Sequence, residues 1–432
     1  MTFKVDPTPL GPFTKGVNTR LPDSALTDKQ LRNGVNVDID DTGRVHRRKG
    51  ATKVIAGTSV RSVWADGDAG PVYYADGTQL RRFTPDGAPP HDNILVATIT
   101  AGATVVFERY LSDIFWTDGV LTGRIVDGTN QSWGLATPPA AGVVLNAVAG
   151  GSLFDGQYQA TYTYLRANGE ESGAPLTNSV EIANPRNANG KAALLVTGII
   201  ASPDNTVIGI NLYCTGANGA EPFQVAFLPN APAIARITEI DSVAGKSLTT
   251  QFYQPAPPGT QLVSLGPRLY VASGRFLFYS EPFAPAWFSP GYGYIPFADD
   301  IAVVLAVNDG LYVATTTETY FLDGMDPLEM KLVRVLPYGA MRNSGAQIRN
   351  GVKVAWMGRH GVVIAEPNGV VKAVQEEEVA VELATRGVTG YREVNGMRQI
   401  VSILLDAAPS PRANKEYTAM EARRLATVLP TE

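Results

Sequence analysis

The fold is decided by the stretch Val72-Tyr73-Tyr74-Ala75-Asp76-Gly77-Thr78-Gln79-Leu80-Arg81-Arg82-Phe83. It opens on an apolar, aromatic triplet (72–74), continues into an Asp-Gly pair and ends in a second segment that mixes apolar and basic residues. Asp-Gly between two such segments favours a hairpin turn, because both residues tolerate a positive φ. The stretch therefore predicts two short antiparallel strands joined by a tight turn.

The same arrangement recurs along the chain. Its further triplets are Ile114-Phe115-Trp116, Leu269-Tyr270-Val271, Leu311-Tyr312-Val313, Val354-Ala355-Trp356 and, more weakly, Arg398-Gln399-Ile400. Successive triplets start about 42–44 residues apart, the length of one four-stranded propeller blade, except for a gap of about 155 residues between 114 and 269. A single sheet of this size cannot bury both faces, so blades must cover each other around an axis. The spacing predicts an all-β protein, a β-propeller of about five or six blades.

The long gap predicts a second domain spliced into the propeller. Removing one blade from it leaves about 113 residues, the size of a β-sandwich. Residues 157–165 alternate strictly and place tyrosines on one face, and proline-rich segments at 138–139 and 255–259 flank the region. The predicted organisation is an N-terminal arm with a hairpin (1–55), a first group of blades (56–139), an inserted sandwich (140–255), a second group of blades (256–412) and a C-terminal helix or tail (413–432).

Helix is expected at three places only. A short helix over 23–31 would be capped by Asp23 or Ser24, since both side chains can accept a bond from a free backbone N–H. A second would open at Gln375-Glu376-Glu377-Glu378 and end at Arg386-Gly387, and a terminal helix would run from about Asn414 to Val428. In the arm, the pattern after 34 predicts a hairpin around Asp41-Thr42-Gly43.

Composition and charge exclude several classes of protein. The 432 residues carry 36 Lys and Arg against 41 Asp and Glu, a net charge of −5, which disfavours a dedicated nucleic-acid binder. Only 18% of residues are charged, while 43 are Gly and 30 are Pro, as expected for a turn-rich β protein. No stretch has the length of a membrane-spanning helix, and the start has no signal-peptide core, so we expect assembly in a cytoplasm.

The residue types that bind metals or act as nucleophiles form no recognisable motif. His46, His91 and His360 are scattered, and the single cysteine, Cys214, excludes an intrachain disulfide and a Cys-based zinc site. No phosphate-binding glycine loop is present. The cluster of basic residues around His46 has two interpretations, a solvated hairpin strand or a patch for an acidic neighbouring subunit or a phosphate. It comprises Arg44, Arg47, Arg48 and Lys49.

Carboxylates offer the remaining candidates for chemistry. Five aspartates lie beside or near glycine and are interpreted as turn residues: Asp66, Asp68, Asp76, Asp118 and Asp323. Asp299 and Asp300 are adjacent, and neighbours on a strand point to opposite faces, so they are not expected to act as an acid–base pair. Aromatic and basic residues alternate as in a single-strand binding platform at one place only, 80–83. We therefore expect no catalytic, cofactor-binding or metal-binding residues and no enzymatic activity.

The arm and the inserted domain resemble a known family. Lys15-Gly16-Val17-Asn18, then Leu21 and Ala25, Asn36-Val37-Asp38-Ile39-Asp40, Gly43 and Arg47-Arg48-Lys49-Gly50 resemble the opening of tail proteins from short-tailed bacteriophages. Tyr158, Asn168-Gly169-Glu170-Glu171-Ser172 and Ile210-Asn211-Leu212-Tyr213 resemble a fibronectin-type-III-like domain. Together the layout is similar to the tail nozzle family of podoviruses, which comprises tail tubular protein B-like or packaged-DNA-stabilising proteins.

The resemblance implies a structural virion protein in the phage tail. It implies a homohexameric ring next to the tail adaptor ring, with tail fibres or a tail needle as further partners. Such a ring retains the packaged genome and lets double-stranded DNA pass during ejection without reading its sequence. The alternatives are a receptor-binding or adhesin propeller and, with less support, a carbohydrate-active enzyme.

Overall fold

The structure is a computed structural model of the chain. It describes residues 11–34, 37–40, 42–48, 54–67, 70–85, 91–139, 143–175, 178–182, 192–241, 245–348, 352–376, 384–394, 397–405 and 426–430. These residues form 33 β-strands and one short 3-10 helix, so the chain is an all-β protein as predicted. Within the same ranges there is no helix with the length and apolarity needed to cross a membrane.

The N-terminal arm is a small folded unit that precedes the first blade. Val17 forms an isolated parallel bridge with Leu31, and Asn18 Oδ1 accepts hydrogen bonds of 3.0 Å from the backbone N–H groups of Arg20 and Leu21. Its predicted helix is reduced to one 3-10 turn, and no side chain caps its start. That turn is η1 (Asp23–Ala25), and the predicted hairpin consists of β1 (Val37–Ile39) and β2 (Val45–Arg47).

Gly43 in this hairpin is required by both conformation and space. Its φ is +81°, and a Cβ atom there would lie 2.7 Å from the backbone nitrogen of Phe13. Any other residue would force the preceding arm away from the turn. One position of the motif that carries the family resemblance therefore has a steric explanation in this chain.

Two four-stranded antiparallel sheets follow the arm, each a meander in chain order. Blade 1 comprises β3 (Val60–Ala65), β4 (Val72–Asp76), β5 (Gln79–Phe83) and β6 (Ile94–Thr98). Blade 2 comprises β7 (Val106–Tyr110), β8 (Asp113–Thr117), β9 (Thr122–Val126) and β10 (Thr129–Gln131).

The inserted domain is a two-sheet sandwich between blades 2 and 3. Its strands are β11 (Val144–Leu153), β12 (Gly156–Arg166), β13 (Asn178–Ile182), β14 (Ala192–Ile199), β15 (Val207–Thr215), β16 (Pro222–Pro229) and β17 (Ala233–Ile237). One sheet has the order β11-β14-β17 and the other β13-β12-β15-β16. Tyr158, Tyr162 and Tyr164 pack in the core between the sheets, as the alternation of the sequence predicts.

Four further sheets complete the propeller. Blade 3 comprises β18 (Gln261–Leu265), β19 (Arg268–Ser273), β20 (Phe276–Glu281), β21 (Ala284–Phe288) and β22 (Tyr294–Pro296), and blade 4 comprises β23 (Ile301–Val307), β24 (Gly310–Thr315), β25 (Thr319–Asp323) and β26 (Lys331–Leu336). Blade 5 comprises β27 (Ala346–Ile348), β28 (Lys353–Gly358), β29 (Gly361–Glu366) and β30 (Val370–Ala373), and blade 6 comprises β31 (Arg386–Val394), β32 (Met397–Leu405) and β33 (Ala426–Pro430).

The triplets form the second strand of every blade, and in blades 2 to 5 they pack on both neighbouring blades. Phe115 packs towards blade 3, whereas Ile114 and Trp116 beside it pack towards blade 1. In the same way Tyr312 faces blade 5, while Leu311 and Val313 face blade 3. Successive residues of a strand point to opposite faces, so a strand buried on both sides must be apolar throughout. Five apolar clusters of this kind join the six blades in chain order.

The connections between successive blades and the insertion point of the sandwich lie on the same rim of the propeller. In an antiparallel meander the turn between the second and third strands lies at the same end as the start of the first strand and the end of the last. We call this end the link rim, because the connections between successive blades also run along it. The sandwich is inserted between β10 and β18, which is such a connection, so the chain leaves and re-enters the propeller at the link rim.

The two C-terminal helix predictions differ from the structure. Residues 426–430, part of the predicted helix over 414–428, form β33, which pairs with β32; residues 414–425 lie outside the described residues. Gln375 and Glu376 form a bend and a turn, Arg386 and Gly387 begin β31, and residues 377–383 between them lie outside the described residues. At β31 and β33, pairing with the central strand β32 outweighs local helix propensity.

Candidate functional site

A cavity of about 560 Å³ opens on the link rim between blades 4, 5 and 6. It is lined by the turn after β24, the connection from β26 to β27, the turn after β28 and the residues before β31. Its polar lining consists of Thr316, Thr317, Tyr338, Arg342, Arg359 and Thr385. Loops held at the ends of rigid strands place these side chains, which is a common way to build a binding site.

The two adjacent aspartates bind separate partners beside this cavity. Asp300 Oδ2 lies 2.8 Å from Arg342 Nη2, and Asp299 Oδ2 accepts a 2.5 Å hydrogen bond from the Thr317 hydroxyl. Neither aspartate lines the cavity itself. The pair therefore positions loops rather than forming an acid–base dyad, in line with the sequence interpretation.

Arg359 and Tyr338 carry polar groups without a partner among the described residues. Arg359 is exposed in the turn after β28 and makes no ion pair or hydrogen bond with any described residue. Tyr338 Oη is buried and likewise has no hydrogen-bond partner in the described part of the chain. The Tyr338 ring packs edge-on against His360 at 4.8 Å between centroids, and burial raises the pKa of its phenol, which stays protonated. Arg359, as the exposed residue of the two, is the one whose N–H groups are available to a ligand in the cavity.

The basic hairpin is largely neutralised by its own aspartates. His46 Nε2 lies 2.9 Å from Asp40 Oδ2, and Arg48 Nε lies 3.1 Å from Asp38 Oδ1. Asp38 Oδ2 also binds Arg392 Nη2 at 2.9 Å, which fixes the hairpin against blade 6. These contacts favour the interpretation as a structural hairpin. Of the other basic residues of the cluster, Arg44 and Arg47 are exposed, and Lys49 lies outside the described residues.

The aspartates near glycine act as turn and loop residues. Asp76 Oδ1 accepts a 2.7 Å bond from Ser59 N–H, and Asp118 Oδ2 accepts a 2.7 Å bond from Thr100 N–H. Each aspartate therefore connects a turn of its blade to the chain segment that leads into the first strand of the same blade. The bond from Ser59 N–H is the largest cause of the lowered pKa of Asp76. Asp66 pairs with Arg109. Asp323 is exposed, and Asp68 lies outside the described residues.

The remaining sequence candidates are enclosed or dispersed. Cys214 faces the sandwich core, where burial raises the pKa of its thiol to about 12. Among the described residues, the ring of His91 contacts one other ring, that of Phe83, with 6.0 Å between the centroids. In the segment 80–83, Arg81 donates to Gln79 and Asn93 within blade 1 and is not free for stacking on a base. Over the described ranges, no three His, Cys, Asp or Glu residues come together as a metal site.

Sequence reasoning missed an ionic junction between the sandwich and blade 2. The stretch 168–172, which carries part of the resemblance to a fibronectin-type-III-like domain, contains Glu170. The Glu170 carboxylate binds Arg124 of β9 at 2.9 Å and Arg166 of β12 at 2.5 Å. Arg166 also lies 3.2 Å from Asp204. Burial alone would raise the pKa of Asp204, but hydrogen bonds from Thr206 and Ser132 together with Arg166 hold it at about 2. Arg124 and Arg166 are both buried, so this junction excludes water.

Glu171, next in the chain, is the centre of a second buried cluster. Its carboxylate accepts hydrogen bonds from Thr163, from Asn211 at 3.0 Å and from Tyr213 at 2.6 Å, and it pairs with Lys246 at 3.0 Å. The Glu171 backbone carbonyl accepts a 2.7 Å bond from the indole of Trp287 in blade 3. The sandwich is thus fixed to two blades at once. Alternation along β12 places Thr163 on the outer face, but no local pattern reveals its partner.

Glu108 is a second carboxyl that the sequence did not single out. It projects from β7 of blade 2 to β18 of blade 3, where Oε1 accepts bonds from Ser264 N–H at 3.0 Å and from the Ser264 hydroxyl at 2.5 Å. Burial raises the pKa of Glu108 to about 7 in spite of these bonds. A single carboxyl that titrates near neutrality therefore lies in one blade interface.

Comparisons with known proteins identify no family for this chain. No family model and no curated protein matches the chain. Among solved structures, Kluyveromyces lactis Hsv2 aligns over 87% of this chain and 98% of its own chain, with 9% sequence identity and a TM-score of 0.31. A variant of Hsv2 with loop 6CD replaced by a Gly-Ser linker aligns over the same shares, with 8% identity and a TM-score of 0.29. The extracellular domain of BT4673 from B. thetaiotaomicron aligns over 84% of this chain and 54% of its own chain, with 13% sequence identity and a TM-score of 0.22. These names do not include a tail protein, and alignments this distant carry no argument about function.

Proposed function

We propose that this chain is a structural virion protein that forms the distal tail nozzle of a short-tailed bacteriophage. In this proposal six copies form a ring that retains the packaged genome and lets DNA pass during ejection. The ring would lie next to a tail adaptor ring, with tail fibres or a needle as further partners, and would be assembled in the host cytoplasm.

The observation that carries the proposal is the folded N-terminal arm. The motif from Lys15 to Asn18 and the hairpin after it form a unit of their own, and Asp38 joins this unit to blade 6 through Arg392. The arm therefore adds a non-repeating surface at the end of the blade series. Contacts between unlike surfaces close into rings about a rotation axis, and an arm of this kind is suited to supply one of them.

The rigid mounting of the sandwich and the charge of the chain support the same proposal. A nozzle must withstand the pressure of packaged DNA, and the two buried polar clusters fix the sandwich to blades 2 and 3. Six copies at −5 would carry 6 × −5 = −30 charges. Like charges repel, so the backbone phosphates would not condense on the wall of such a conduit.

Electron microscopy of the purified chain tests the proposal directly. We expect a six-fold ring with a central opening wide enough for duplex DNA. Sedimentation should give a species of six chains in the presence of the adaptor protein. A chain that stays monomeric with its adaptor at all concentrations, or forms a trimeric spike, would contradict the nozzle and favour the receptor-binding alternative.

A second experiment tests the role in the virion. Phage particles assembled without this chain should fill their heads and then lose the DNA, whereas particles complemented with the intact gene should retain it. Particles that lack the chain but keep their genome and fail only to adsorb to host cells would argue against genome retention.

A further inference from the structure

We propose that the cavity on the link rim binds an acidic saccharide, with Arg359 and Arg342 binding its oxyanion group. The oxyanion is a carboxylate or a phosphate, and both present the oxygen geometry that guanidinium groups recognise. The inference goes beyond the proposed nozzle and does not depend on ring formation.

The size of the cavity suits one small polar ligand. A volume of about 560 Å³ lies within the usual range of roughly 300–1,000 Å³ for small-molecule sites. The walls come from three blades, and the strands behind them are fully buried, as shown by Val354 and Trp356 of β28 and Val313 of β24, all at 0% exposure. Such walls are in place before the ligand arrives, which lowers the entropic cost of binding.

The charges that line the cavity favour an anion. Arg342 and Arg359 contribute two guanidinium groups, and no acidic side chain is among the described lining residues. Asp300 takes one nitrogen of Arg342, Nη2, which orients the group and leaves its other N–H donors for a ligand. Arg359 makes no ion pair with a described residue, so an anion that binds there displaces no described carboxylate.

The remaining lining groups match a sugar ring rather than a bare ion. Thr316 and Thr385 supply hydroxyls, which both donate and accept hydrogen bonds, as sugar hydroxyls do. The Thr317 hydroxyl donates to Asp299 and can still accept a hydrogen bond from a ligand. The ring of Tyr338 and the side chain of Met341 supply apolar surface for the C–H groups of a pyranose.

Calorimetric titration of the full-length chain tests the proposal with three sugars. Glucuronate carries a carboxylate, glucose 6-phosphate carries a phosphate, and glucose carries neither. We expect one or both acidic sugars to bind at least about tenfold more tightly than glucose, and their order identifies the preferred oxyanion. Equal affinity for all three, or no binding of either acidic sugar at millimolar concentration, would overturn the proposal.

Inorganic phosphate is the fourth probe and tests the saccharide part. If the hydroxyl and apolar walls contribute, an acidic sugar should bind more tightly than phosphate alone. Phosphate that binds as tightly as both acidic sugars would overturn that part of the proposal, because the sugar ring would then add nothing.

The matched variants are R359A and R275A. Arg359 is exposed, so its removal should leave the fold intact, and we expect about a tenfold or greater loss of affinity for the acidic sugar. Arg275 is exposed in the corresponding turn of blade 3, outside the cavity, and R275A should bind as the unchanged chain does. An equal loss in both variants, or no loss in R359A, would overturn the assignment of the site.

Discussion

The interfaces between blades and the junction between the propeller and the sandwich bury opposite kinds of side chain. Blades 4 and 5 meet through Tyr312 and Trp356, whose rings lie 5.7 Å apart in an apolar cluster. The sandwich meets blade 2 through the buried Arg124 and Arg166 and the partly buried Glu170. A blade has no core of its own and buries its apolar faces only against neighbouring blades. The sandwich has a complete core, so it can contact the propeller through polar side chains.

The two regions derive their stability from different interactions. The free energy that an apolar interface contributes to stability is proportional to the apolar area that it removes from water. A buried ion pair gains little overall, because desolvation offsets the attraction, but the loss of one partner is costly. We therefore expect blade interfaces to respond to volume and the junction to respond to the loss of single partners.

The largest effect is expected in a blade interface. Trp356→Ala would leave a cavity between blades 4 and 5 and should lower the free energy of unfolding by about 4 kcal/mol. Trp356→Phe keeps an aromatic ring and removes an indole N–H without a partner among the described residues, so it should cost much less. Urea unfolding followed by circular dichroism measures both. Equal costs for the two variants would mean that packing volume does not control this interface.

At the junction, Glu171→Ala should cost about 3 kcal/mol, because it leaves the Asn211 and Tyr213 side chains buried without their acceptor. The fluorescence of Trp287 and proteolytic release of the sandwich report the change locally. Lys246→Met removes a half-exposed partner and should cost less than about 1 kcal/mol. A Glu171→Ala variant as stable as the unchanged chain would refute the role of this cluster.

The same carboxylate predicts an acid sensitivity of the junction. Burial acts to raise the pKa of Glu171, but bonds from Thr163, Tyr213 and Asn211 outweigh it and lower the pKa. A lowered pKa gives stability that is present above the ordinary pKa of a glutamate and is lost as the pH falls below it. Release of the sandwich by protease should therefore increase on acidification, and Glu171→Gln should weaken this pH dependence.

Glu108 predicts the opposite pH dependence inside an apolar interface. Its folded-state pKa of about 7 lies above the ordinary value of 4.5, so the folded chain holds a proton that the unfolded chain releases. Its contribution to stability is present below pH 4.5 and is lost as the pH rises through about 7, by an amount on the order of 3 kcal/mol.

Glu108→Gln should remove that dependence. We expect the variant to gain thermal stability relative to the unchanged chain at pH 8 and to show no gain at pH 4.5. Glu366→Gln is a suitable control, because that carboxylate is exposed in a surface pair with Lys353. A melting profile with the same pH slope in Glu108→Gln and the unchanged chain would contradict the raised pKa.

The smallest effect is expected where the arm meets blade 6. Asp38→Ala breaks partly exposed pairs with Arg48 and Arg392 and should cost about 1 kcal/mol, mostly through local release of the hairpin. Hydrogen exchange at β1 and β2 measures this release. Asp23→Ala removes an exposed partner of Arg32 and should leave exchange at the hairpin unchanged. Equal exchange in both variants would show that Asp38 does not hold the arm.

The contrast between the two regions also explains what the sequence could reveal. Triplets such as 311–313 recur because the second strand of each blade must be apolar to pack against a neighbouring sheet. Their spacing therefore predicted the blades and the inserted domain. The roles of Glu170 and Glu171 could not be predicted, because their partners, Arg124 and Tyr213, are 46 and 42 residues away along the chain. A contact made once between two surfaces leaves no period in the sequence.

The cavity was equally hidden, for a related reason. Its lining residues come from four separate loops, and only their common place on the link rim brings Arg342 and Arg359 together. Asp299 and Asp300 drew attention as a pair, and the structure shows them supporting loops beside the cavity. The β33 strand was missed because its pairing with β32 is set by tertiary structure and not by local propensity.

The enclosure of Cys214 gives the molecule a practical property. This is the one cysteine of the chain, it is fully buried, and its thiol remains protonated at neutral pH. Thiolates attack maleimide reagents, and a buried, protonated thiol does so poorly, so the native protein should resist labelling. A cysteine introduced on the surface, for example in place of Arg275, would then be the single attachment point for a fluorophore. Fluorescence microscopy would follow individual labelled molecules without first removing a native thiol.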